Sequence, residues 1–201
     1  MKKFDEIHDR VTAILASELP NHLVYHNLVH TKYVLDKSIL IAREENINGN
    51  ELSLIKIAAL YHDIGFIKNR DNHEELGCEI AHQDLPHHGF SKEEIDQICG
   101  MIMATKIPQS PNNHLEKIIA DADLEYLGTE RFELVSEKLY KELKFFNNAL
   151  SRKEWYSIQV NFLSAHQYHT LFCKEHREPI KNQNLEKVKS LLKEIEENEL
   201  Q

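Results

Sequence analysis

The chain has 201 residues, 28% of them charged, and a formal net charge of -9. That length suits one domain with a hydrophobic core of its own, and an acidic chain lacks the basic field that would hold a nucleic-acid backbone by counterion release. With only six glycines and five prolines there is little material for turn-rich β architecture, so composition alone favours helices.

Phe4, Ile7, Val11, Ile14 and Leu15 recur at helical spacing and predict a first amphipathic helix ending near Leu19-Pro20. A second helix is expected from about Asn27 to Asn46, before the Asn48-Gly49-Asn50 turn. A third runs from about Glu51 to Ile64, where Gly65 stops it. Asn72-x-x-Glu75 and Ser91-x-x-Glu94 have capping-box form and predict helices over roughly 72–84 and 91–104. The two prolines and two asparagines between Lys106 and Asn113 predict an irregular loop. Beyond it, helices are expected from His114 to Leu127, closed by Gly128, and near 130–146, 151–176 and 184–199, with Ser151-x-x-Glu154 as another capping box. No strand alternation or internal repeat interrupts this pattern, which reads as all-α.

Cys78, Cys99 and Cys173 are odd in number and form no C-x-x-C pair, which argues against a disulfide framework or a cysteine zinc site and fits a reducing cytoplasm. The N-terminal MKKFDEIHDR starts basic and turns acidic at once. With no stretch of signal-peptide or membrane-span length, it reads as an intact cytosolic N-terminus.

The sharpest local signal is Tyr61-His62-Asp63-Ile64-Gly65, which follows the apolar run Leu54-Ile55-Lys56-Ile57-Ala58-Ala59-Leu60. A histidine and an aspartate at the end of a buried helix need a partner for their charge, and a divalent cation suits neutral imidazole and ionised carboxylate together. Upstream stands Tyr25-His26-Asn27-Leu28-Val29-His30, and downstream Ala120-Asp121-Ala122-Asp123-Leu124-Glu125-Tyr126, where carboxylates again break an apolar helix. A histidine, then His-Asp, then an aspartate follow one another along the chain.

These three segments resemble the HD-domain superfamily of metal-dependent phosphohydrolases over roughly residues 20 to 130. The resemblance implies an α-helical bundle in which His30, His62, Asp63 and Asp123 hold one divalent ion, with Asp123 rather than Asp121 as the last ligand. It also implies a single domain over 1–201, with helices 130–200 packing on the motif core. Two imidazoles and two carboxylates from separate helices leave positions on the ion for water and a phosphate oxygen, and the donor set admits Mn, Fe, Mg, Co, Ni or Zn.

The segment beginning Asn72-His73-Glu74 resembles the one that supplies an extra histidine in the binuclear phosphodiesterase branch. No histidine stands at Met103-Ala104-Thr105-Lys106, where that branch carries a later pair, so a full second metal set is not expected. His73 and Glu74 are candidates for acid/base or water-positioning work, or for an exposed helix start. Lys106 is the preferred cation for a phosphate, with Lys68 and Arg70 as alternatives, and His26 is a candidate for packing or substrate contact. The expected function is hydrolysis of a small phosphorylated substrate, a mono- or cyclic nucleotide, with the catalytic set Asp63, Lys106, His73 and Glu74. The alternative is a non-catalytic module that binds metal or nucleotide as a sensor. Ile64-Gly65-Phe66 after the doublet departs from the acidic pair of (p)ppGpp hydrolases. No nucleic-acid or membrane partner is expected. Phe145-Phe146 and Trp155-Tyr156 are candidates for a homodimer surface or for core.

Overall fold

A computed structural model describes residues 2–199, with side chains from Phe4 onward. Its elements are α1 (Lys2–Glu18), α2 (Leu28–Glu44), α3 (Gly49–Tyr61), α4 (His73–Asp84), α5 (Lys92–Met103), α6 (His114–Asp123), α7 (Phe132–Phe146), α8 (Arg152–Ala165), α9 (Leu171–His176) and α10 (Glu178–Glu199). Short 3-10 turns follow α3, α4 and α6, and no strand occurs among the described residues. No helix among them is long and apolar enough to cross a membrane. The chain forms two compact units, Met1–Leu124 and Glu125–Gln201.

In the first unit, α3 is the central element: Leu54, Ile55, Ile57, Ala58, Ala59, Leu60 and Tyr61 are all buried. It has apolar residues on every side because α1, α2, α5 and α6 all pack against it. Asn27 caps α2 and Asn113 caps α6, each through a side-chain oxygen that accepts backbone N–H groups, and Ser91 with Glu94 forms a complete capping box at α5.

Two local expectations change here. Asn72 does not cap α4, because its backbone (φ -138°, ψ 38°) is not the extended form that lets a cap side chain reach back, and Glu75 instead pairs with Lys106. Gly65 does not stop α3, which ends at Tyr61, and the glycine lies inside the 3-10 turn Ile64–Ile67. Its role is close approach: an ideal Cβ there would sit 2.7 Å from the carbonyl carbon of His73. Only glycine lets the turn after α3 rest against the start of α4.

In the second unit, α10 packs along α8 and α9. Tyr140, Leu150 and Trp155 form a core cluster, so Trp155 is a core residue, whereas Phe145 and Phe146 are exposed. The Ser151–Glu154 capping box at α8 is complete. The helix expected over 151–176 is broken at His166, whose extended backbone leaves its carbonyl to accept from the buried Lys181 ammonium, and Thr170 restarts the chain as the cap of α9. α10 begins at Glu178 rather than near 184, with Pro179 in its first turn, where the missing N–H costs nothing. The expected helix to Leu127 likewise ends at Asp123 and continues as a 3-10 turn, Glu125–Gly128.

Candidate metal centre

Four side chains from three places in the first unit converge. Asn27 accepts from the backbone N–H groups of Val29 and His30, which opens α2 with His30 in its first turn. Tyr25 lies against that imidazole with ring centroids 4.7 Å apart. At the end of α3 the backbone of His62 is still helical, while Asp63 (φ -108°, ψ 2°) occupies the bridge region, so consecutive side chains leave the helix toward one point. Asp123 is the last residue of α6.

His30 Nε2 lies 3.0 Å from Asp123 Oδ1, 3.4 Å from His62 Nε2 and 3.5 Å from Asp63 Oδ2. His62 Nε2 lies 3.2 Å from Asp63 Oδ2 and 3.7 Å from Asp123 Oδ1. The donor atoms of His30, His62 and Asp123 all fall within 4.8 Å of one another. Donors about 2.1 Å from a common centre stand about 3.0 Å apart at right angles, so these separations suit a first-row or magnesium-sized cation.

The protonation pattern points the same way. His62 Nδ1 lies 2.9 Å from the Ala59 carbonyl, an acceptor only, so Nδ1 carries the hydrogen and the neutral ring turns its Nε2 lone pair inward. That lone pair faces two carboxylates and a second imidazole nitrogen. Asp63 Oδ2 is buried and accepts no hydrogen bond, and such an atom is costly unless something positive meets it. Without a metal, a proton fills that need. Burial alone would lower the His62 pKa, but Asp63 first and Asp123 after it raise it to about 9. Burial alone would raise Asp63, and His62 instead holds it far below the usual carboxylate range. The residues therefore fit a divalent cation.

Beside this cluster, His73 Nδ1 donates to the Arg70 carbonyl at 2.9 Å, which leaves its Nε2 3.6 Å from Asp63 Oδ1 and 3.4 Å from Glu74 Oε1. Phe66 stacks on two imidazoles, His73 at 4.0 Å and His26 at 4.5 Å between centroids. Glu74 is buried. Lys106 stands against Glu75, the next residue, rather than against the four converging side chains. Phe66 and the stacking role of His26 escaped sequence reasoning, because an aromatic three residues past His-Asp reads as ordinary core. The position of Phe66 in the turn directly after the doublet is the one signal that could have suggested it.

The model of the HD domain matches residues 27–125. No curated protein sequence matches the chain. The fold is similar to the crystal structure of a predicted HD superfamily hydrolase from an uncultured Thermotogales bacterium, at 22% identity and a TM-score of 0.61, over 92% of this chain and 91% of that one. It is also similar to Bacillus subtilis YpgQ, solved in complex with ADP, at 19% identity and a TM-score of 0.65, over 96% of this chain and 97% of that one. The matched segment runs from the cap of α2 to just beyond Asp123 and so contains all four converging side chains; the chain carries an HD domain, and with it the helical fold of the HD superfamily, whose domains bind divalent metals.

Proposed function

We propose that the protein is a cytoplasmic metal-dependent phosphohydrolase acting on a small nucleotide, with His30, His62, Asp63 and Asp123 holding one divalent ion. The observation that carries this reading is the convergence of lone pairs on one point, with Asp63 Oδ2 buried and unbonded among them. A divalent cation there, Mn, Fe, Mg, Co, Ni or Zn, supplies Lewis acidity toward a phosphoryl oxygen and lowers the pKa of water.

The chain's own groups do the rest. His73 keeps its Nδ1 proton on the Arg70 carbonyl, so its Nε2 is free to take a proton from the attacking water. The buried carboxylate of Glu74 lies 3.4 Å from that nitrogen and helps to fix where the ring points. Phe66 stacks on the His73 ring, and His26 in turn stacks on Phe66, which limits rotation of the His73 ring. Lys106 exchanges Glu75 for a phosphate oxygen and balances charge that develops in the transition state. The presence of ADP on YpgQ supports a nucleotide as the substrate class.

The test is release of phosphate from mono-, di-, tri- and cyclic nucleotides with Mn²⁺, comparing wild type with His73→Gln and Asp63→Ala. Turnover that drops by about 10²–10⁴ in His73→Gln while metal remains bound supports the acid/base role. Stoichiometric metal with no turnover on any nucleotide would leave the non-catalytic sensor as the better reading.

A further inference from the structure

Two of the three cysteines meet where α4 packs on α5. Cys78 Sγ lies 3.6 Å from the Cys99 carbonyl oxygen, and Cys99 Sγ lies 3.8 Å from the Cys78 carbonyl oxygen, so each sulfur reaches the other residue's backbone. A glycine adjoins each cysteine, Gly77 before Cys78 and Gly100 after Cys99, and a Cβ added at Gly77 would touch Ile102 of α5 at 3.6 Å. Gly77 thus leaves α4 room against α5, while a Cβ at Gly100 would instead meet Glu116 of α6. Cys78 is half-buried, which gives it access to solvent, and Cys99 is buried.

We infer that Cys78 and Cys99 are a modification site, a dithiol that closes to an intramolecular disulfide on reaction with a low-molecular-weight disulfide. One thiolate attacks the small disulfide and releases one small thiol. The second cysteine thiolate then attacks the mixed disulfide, forming the Sγ–Sγ bond and releasing a second small thiol. Two electrons and two protons pass from the protein to the two leaving thiols. Cys78 stands one helical turn after Glu74, so the cross-link tethers to α5 the helix that begins with His73 and Glu74. This site is independent of the metal centre and of the reaction proposed for it.

The experiment is incubation of the full chain with oxidised glutathione, acid quench, unfolding, and a count of free thiols with mass mapping of peptides. The expected result is a fall from three thiols to one, a mass loss of about 2 Da, a linked peptide containing Cys78 and Cys99, and recovery on reduction. Cys173, fully buried in the second unit, keeps its thiol. In Cys99→Ser the cross-link is replaced by a single glutathione adduct on Cys78. Unchanged thiols in the wild type, an adduct on one cysteine without a cross-link, or disulfide-linked dimers would each overturn the inference.

Discussion

Replacing Gly65 by alanine tests how the His62-Asp63 turn is held against α4. The added Cβ would lie 2.7 Å from the His73 carbonyl carbon and 2.8 Å from its Cα, where ordinary carbon contacts are about 3.5 Å. The two backbones must therefore part by about 0.8 Å or more, and no side-chain rotation can relieve the overlap. Overpacking of this kind costs about 1–3 kcal/mol, and backbone against backbone belongs at the upper end. At about 2–4 °C per kcal/mol, the melting temperature of Gly65→Ala should fall by about 6–12 °C. Gly77→Ala, whose Cβ would meet the Tyr61 carbonyl oxygen at 2.9 Å, should fall less. Thermal unfolding followed by circular dichroism on metal-free protein measures both. A Gly65→Ala protein melting within about 1 °C of wild type, or the reverse order of the two variants, would refute the close-approach argument.

The caps give a second comparison: Ser91→Ala and Ser151→Ala should each cost about 1 kcal/mol in denaturant unfolding, whereas Asn72→Ala, which removes no cap bond, should stay within about 0.5 kcal/mol of wild type. Equal losses at all three would mean the cap bonds are not what stabilises α5 and α8. A third prediction concerns pH. Burial first and the Lys181 ammonium second lower His166 to about 3, against about 6.5 in the unfolded chain. Between those values the unfolded chain binds a proton that the folded one refuses, so the contribution of neutral His166 is complete above about 6.5 and is lost as pH falls toward 3. His166→Gln should show a flatter fall in stability over that window, and an unchanged slope would assign the acid sensitivity elsewhere.

Much of this architecture is legible in the sequence, and the exceptions share a cause. The starts of α2, α5 and α8 are encoded locally by Asn27, Ser91 and Ser151, whose side chains satisfy N–H groups two or three residues away. Asn72 has the same local pattern and fails because the chain entering α4 is held by Gly65 against His73, a contact between segments that no window of sequence reveals. His166 reads as helix interior, and its break depends on Lys181, fifteen residues on. At the candidate site, the three motif segments are legible because their residue types are rare in an apolar setting. What they leave out is orientation: Ala59 fixing the His62 tautomer, Arg70 fixing that of His73, and Phe66 stacking on two imidazoles are all set by tertiary packing. Glu75 holding Lys106, a contact across thirty-one residues, is likewise invisible in either local pattern.

The most direct test of the central claim is a calorimetric titration of metal-stripped protein with Mn²⁺, run on wild type, His62→Gln and Asp63→Asn. One ion per wild-type chain, with affinity lowered at least about tenfold in each variant while helical content is retained, is the predicted result. No stoichiometric binding to the folded wild type, or equal affinity in all three proteins, would contradict it.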